Sequence, residues 1–228
     1  MLKRIAALAT MCVLLTGSSA SALISSVYPP DKQPLGLSYP DWAEDWGRYA
    51  FGVPNKENPL IFATDCDVSI QAVDGAVMLP ASGGGKQVVD CDVAKHTPLL
   101  ITPGGDDTVV GVNGDTKHQA LRHLRASLDT FDHVNLSIDG QRLDRVKGFL
   151  TSTPFFDIHL YKHNIVGAPE AGDYQMAIGG WFVMIRGLSQ GDHVVKAHDE
   201  FGPPDDRTSA TTKYQLHAVL PPLPPPPT

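Results

Sequence analysis

The spacing of hydrophobic residues changes along the chain, and each change predicts an element. Trp42, Trp46, Tyr49 and Ala50 recur at i, i+4, i+7 and i+8, the period of an amphipathic helix near residues 40–51. Ser38-Tyr39-Pro40-Asp41 suits its start, because proline fits a first turn and an aspartate favours the positive end of a helix. Gly52 and Pro54 suit its end. A second helix is predicted over 115–129, with Leu121, Leu124 and Leu128 on one face. Indoles at helical spacing are core residues first and sugar platforms second, so Trp42 and Trp46 are expected to anchor the first helix to a sheet.

Between and after these helices the apolar stretches are short and separated by turn residues. Strands are predicted at 66–72, 75–80, 87–93 and 97–102, punctuated by Gly83-Gly84-Gly85 and by Gly104-Gly105-Asp106-Asp107. Val134, Leu136 and Ile138 alternate into Asp139-Gly140, a tight-turn pair. Phe156, Ile158 and Leu160 alternate in another strand. Trp181 to Ile185 leads through Gly187 to Gly191 into Asp192–His198, and Tyr214, Leu216 and Ala218 mark a last strand. The fold class is therefore mainly β: an antiparallel β-sandwich or jelly roll with two short packed helices. It forms one domain over 38–220, after an extended lead-in at 23–37 and before a proline-rich tail at 221–228 expected to be polyproline II or disordered.

The first 22 residues have the pattern of a secretory signal peptide. Lys3 and Arg4 precede an apolar run from Ile5 to Leu15, and Ala20-Ser21-Ala22 forms a cleavage site, so the mature chain is expected to begin at Leu23. Cys12 lies inside the apolar run and would be discarded with it. No stretch is long enough for a transmembrane segment, which needs about 20 apolar residues. The expected location is secreted, extracellular or in the cell envelope. The whole chain carries a net charge of −7. Removing Lys3 and Arg4 from its 18 basic residues leaves 16 against 25 acidic ones, or −9. That balance argues against nucleic acid and anionic membrane as partners and is compatible with cations, neutral glycans or basic proteins.

Export also bears on the chemistry of Cys66 and Cys91. An even pair in an oxidising compartment reads as one disulfide, ahead of a two-thiol metal site or unpaired thiols, and no C-x-x-C is present. Thr64-Asp65-Cys66-Asp67-Val68 is echoed by Val89-Asp90-Cys91-Asp92-Val93. On a strand, both neighbours of a cysteine face away from it, so Asp65, Asp67, Asp90 and Asp92 could share one surface. Crowded carboxylates suit Ca²⁺, with Asp106 and Asp107 as additions. The plainer reading is solvated aspartates that protect edge strands.

Histidines give a second candidate set. Asp157, His159 and Tyr161 alternate on one strand face, His163 follows, and His193 and His198-Asp199-Glu200 border another strand. Convergence of Asp157, His159 and His198 would make an acid/base or metal site, yet H-E-x-x-H is absent. His193 and His198 also differ in strand parity, which favours scattered surface histidines. His118, Arg122 and Arg125 form a helix stripe that could bind an anion and reads first as a solvated face. G-x-S-x-G and other nucleophile motifs are missing.

Several of these pieces together are similar to a group of uncharacterised secreted bacterial β-sandwich proteins. They are the Trp42/Trp46 helix after the signal, Asn58-Pro59, the cysteine pair, the Ile138-Asp139-Gly140 hairpin and the stretch Gly180–Val195. Within that stretch Leu188-Ser189-Gln190-Gly191-Asp192-His193 begins an L-S-x-G-x-H-x-V hairpin common in extracellular sandwich modules. The resemblance implies architecture and a bacterial source and brings no catalytic set. The expected function is a secreted, non-catalytic binding or interaction module without a resident cofactor, whose ligand is a glycan or another protein. The alternatives are a secreted hydrolase or metal-dependent enzyme using Asp157, His159 and His198, and a structural envelope protein held through its proline tail.

Overall fold

Alternation with period two puts alternate side chains on one face of a strand, and two such faces closed together make the core of this protein. The computed structural model describes residues 26–58, 60–61, 66, 72–79, 84–143 and 146–220. The expected signal peptide, the proline tail, Asp65 and Asp67 lie outside the described residues.

The first sheet contains β1 (Ala72–Val73), β2 (Ala76–Met78), β4 (Leu99–Val109), β7 (Leu150–Ser152), β8 (Phe156–Leu160) and β9 (Gly172–Ile185). Its order is β1-β2-β4-β9-β7, and β8 also pairs with β9. The second sheet contains β3 (Gly85–Ala94), β5 (Asn135–Ile138), β6 (Gln141–Arg142), β10 (Gly191–Phe201) and β11 (Thr208–Val219), in the order β3-β11-β10-β5-β6. The protein is mostly β and compatible with the expected sandwich.

Strand direction is where the fold differs from the expectation of wholly antiparallel sheets. β2 pairs with β4 in parallel, and β3 pairs with β11 in parallel. Between β2 and β4 the chain crosses to the second sheet as β3. A strand that leaves its sheet for one pass and returns runs in its original direction, so β2 and β4 are parallel. Hydrophobic alternation is the same in either direction, so this is invisible to it.

In the second sheet the alternation is clean. Val89, Cys91 and Val93 of β3, Tyr214, Leu216 and Ala218 of β11, and Val195 and Ala197 of β10 are buried. Cys91 bonds Cys66 with a Cα separation of 5.0 Å. In the first sheet β9 is buried without interruption from Met176 to Ile185, because it is covered on both sides. Helix α1 (Tyr39–Phe51) lies over β7, β8 and β9, and α2 (Lys117–Leu128) packs on β4 and β9. Two glycines of β9 make this close packing feasible. A Cβ at Gly179 would stand 2.5 Å from Leu128 Cδ1 of α2, and one at Gly180 would stand 2.6 Å from the Gly104 carbonyl of β4.

Both helices start where their caps dictate. Ser38 and Asp41 form a reciprocal capping box on α1, and Thr116 and Gln119 form one on α2. Trp42 is fully buried, and its indole N–H donates to the Pro34 carbonyl at 3.0 Å. Trp46 meets Phe51 and Phe182 edge-on. The lead-in is more than a spacer: Val27 bridges to Ile185, and Tyr28 N–H donates to the Met184 carbonyl at 2.9 Å. Among the described residues no helix is long and apolar enough to cross a membrane.

Candidate functional site

The residues that sequence alone nominates do not assemble into one site. Asp157 and His159 are exposed alternate residues of β8. Asp157 accepts from Gln175 Nε2 at 3.0 Å, and His159 pairs with Asp173 at 2.8 Å. His198 belongs to β10 in the second sheet. Its neighbours Ala197 and Asp199 are buried, so His198 points to the outer face, where its Nδ1 meets Thr211 Oγ1 at 2.8 Å. The structure keeps Asp157 and His159 together and leaves His198 on another surface.

Asp90 and Asp92 lie on the outer face of β3, away from Cys91. Asp90 is engaged by His217, which contacts it at 3.0 Å and Asp192 at 2.8 Å. These carboxylates, Asp192 foremost, raise the pKa of His217. Among the described residues no group of three or more His, Cys, Asp or Glu is placed to hold a metal ion. His118, Arg122 and Arg125 are exposed on α2.

A different set of residues does converge. A cavity of about 290 Å³ opens between β4 and the inner faces of β10 and β11. Trp46, Phe51, Phe131, Phe182 and Phe201 form much of its apolar wall. Phe131, just beyond α2, stacks on Phe201 with ring centroids 5.3 Å apart and leans on Trp181. Gly105 is the one exposed residue of the lining and marks an opening.

Asp107 and Asp199 belong to the lining of this apolar setting. Asp199 is 6% exposed and sits at the inward position after Val195 and Ala197. Burial pushes its carboxyl up to about 7, against a small opposing effect of its own backbone N–H. Asp107 is half-buried in the lining, and burial, then the charge of Asp106, push its carboxyl up to about 7. Neither carboxyl raises the other, so they do not behave as a proton-sharing pair. Asp106 accepts a hydrogen bond from Ser127 Oγ of α2. The lining contains no Lys, Arg or His.

Two further polar groups lining the cavity have no partner. Trp46 and Thr102 are each 5% exposed, and neither Trp46 Nε1 nor Thr102 Oγ1 makes a hydrogen bond. Both atoms are closed off from the free space of the cavity, so they are orphans of the packing around it. A carboxyl that titrates near 7 donates when protonated and accepts or pairs with a cation when ionised.

Sequence reasoning treats Gly104 to Asp107 as a turn, with Asp106 and Asp107 as additions to a calcium set, and Asp199 as a strand border, and so does not bring Asp107 and Asp199 to one cavity. One signal was present. Val195, Ala197 and Asp199 share a parity, which places Asp199 on the core side.

No family model matches this chain, and no curated protein matches it. Among solved structures, a chain from the complex of PbICP-C with falcipain-2 aligns over 64% of this chain and 98% of its own length, at 11% identity and a TM-score of 0.22. The solution structure of Amebosin aligns over 58% of this chain and 96% of its own, at 11% identity and a TM-score of 0.15. Scores this low carry no inference about fold or function.

Proposed function

We propose that this protein is a secreted, non-catalytic binding module that receives a small ligand between its two sheets. One observation carries the reading: a cavity of about 290 Å³ walled by aromatic rings is lined by two acidic side chains, Asp107 and Asp199, and by no basic one. Ligand sites combine apolar walls with a few placed polar groups in this way. The volume suits a small molecule. A cavity of about 150 Å³ accommodates benzene, so about 290 Å³ has room for a ring with a short substituent or a fused ring pair. Export follows from the N-terminal pattern of Lys3 to Ala22 and agrees with the Cys66–Cys91 disulfide.

A thermal-shift screen of small ring-bearing compounds tests the reading, run on the wild type and on Ala210→Leu. Ala210 lines the cavity from β11, and leucine there fills part of it. The expected result is a compound class that raises the wild-type midpoint and loses its effect on the variant. A ligand present at a hundred times its Kd stabilises by about 2.7 kcal/mol, a readily measured shift. Equal stabilisation of both proteins, or of neither by any compound, contradicts the reading.

A further inference from the structure

We infer that the ligand of the inter-sheet cavity is an organic amine: a protonated ammonium on a ring-bearing body. This deepens the proposed binding role and rests on it. Each part of the description answers a different feature of the cavity. The aromatic walls, with Trp46, Phe131, Phe182 and Phe201, suit a ring and also favour a cation above their faces. The carboxylates of Asp107 and Asp199 have no cationic partner among the described residues. An anionic ligand would meet two negative groups and no positive one. A neutral apolar ligand would leave them unpaired. A neutral polar ligand pairs with the protonated carboxyls, and a cation satisfies the ionised form that prevails above pH 7.

The charged surroundings are simple. Asp106 on β4 is the charged neighbour of Asp107, and Asp199 on β10 stands alone. The lining residues from α1, β9 and β11 include no ionisable side chain.

Three probes of nearly equal shape separate the alternatives. Tyramine has a ring, an ammonium and a phenolic oxygen. 4-Ethylphenol lacks the ammonium, and 3-(4-hydroxyphenyl)propionate replaces it with a carboxylate. Calorimetric titration at pH 8 is expected to show tyramine binding at least tenfold tighter than either analogue. Because ion pairing needs an ionised carboxylate, tyramine affinity is expected to rise about tenfold between pH 6 and pH 8, following a group titrating near 7. 4-Ethylphenol affinity should not rise. Asp107→Asn or Asp199→Asn is expected to weaken tyramine at least tenfold and leave 4-ethylphenol unchanged, and the variant that does so identifies the pairing group. Should a variant fail to fold, the probe series and the pH profile of the wild type decide alone.

If 4-ethylphenol or the propionate binds as tightly as tyramine, the ammonium is wrong while the cavity remains a ligand site. If none of the three binds, the amine assignment is overturned. The wider screen on the wild type and Ala210→Leu then decides the cavity reading separately.

Discussion

At the scale of single residues, Asp107 and Asp199 make the protein's stability depend on pH in an uncommon direction. An aspartate in the unfolded chain titrates near about 3.9, and burial lifts both to about 7 in the folded protein. Between those values the folded state holds more protons than the unfolded one. The contribution to stability is therefore complete below about pH 4, falls as the pH rises through 7, and stays lost above it. Asp107→Asn and Asp199→Asn remove the ionisation. Each is expected to stabilise the protein at pH 8 by about 1–2 kcal/mol, less than the full shift implies because solvent reaching the cavity screens the charge. At pH 4 little change is expected. Urea unfolding at both pH values measures this, and lower stability of both variants at pH 8 would show that the carboxylates are held by favourable partners instead. His217 tends the same way, since its raised pKa favours the folded state below its own titration and not above. The sequence displayed Asp199 at a core-facing parity, one charged residue following Val195 and Ala197 inward. Asp107 was hidden by the two glycines and the aspartate before it, which have the composition of a turn.

At the scale of elements, those glycines belong to a strand. β4 continues through Gly104 and Gly105 to Val109 because its partner β9 places Gly179 and Gly180 opposite Asp106 and Gly105. Small residues on both strands let the backbones approach, and composition alone cannot show that two glycine pairs will meet from segments more than 70 residues apart. A Cβ at Gly180 would press on backbone atoms of Gly104 and Gly105, which cannot swing aside as a side-chain end would. Gly180→Ala is thus expected to cost about 1–3 kcal/mol through forced separation of β4 from β9. Chemical denaturation would measure the loss, and an unchanged midpoint would mean that the strands part without cost. The helices were far more legible. Their apolar stripes and caps are local, and α1 and α2 fall within two residues of the expected bounds at each end. β8 was legible for the same reason, through Phe156, Ile158 and Leu160.

At the scale of the whole molecule, the two sheets, the disulfide and the mostly-β class follow from patterns that each residue carries with it. Strand order and the parallel pairs do not, because they depend on which strand the chain meets after crossing between sheets. The same crossing builds the cavity. β4 supplies Asp107 and Thr102, β10 supplies Asp199, α1 brings Trp46, and the segment after α2 adds Phe131. The His217 contacts with Asp90 and Asp192 likewise join three strands of the second sheet. The central claim, that a ligand enters between the sheets, is tested most directly by the three indole N–H resonances of the ¹⁵N-labelled protein. Trp42 already donates to Pro34, Trp46 lines the cavity without a partner, and Trp181 lies outside the lining. Assigned by Trp→Phe variants and followed during titration with a compound that raises the melting midpoint, the Trp46 signal is predicted to shift as a ligand settles against its ring, while Trp42 stays in place. A stabilising compound that leaves Trp46 unmoved would contradict the account.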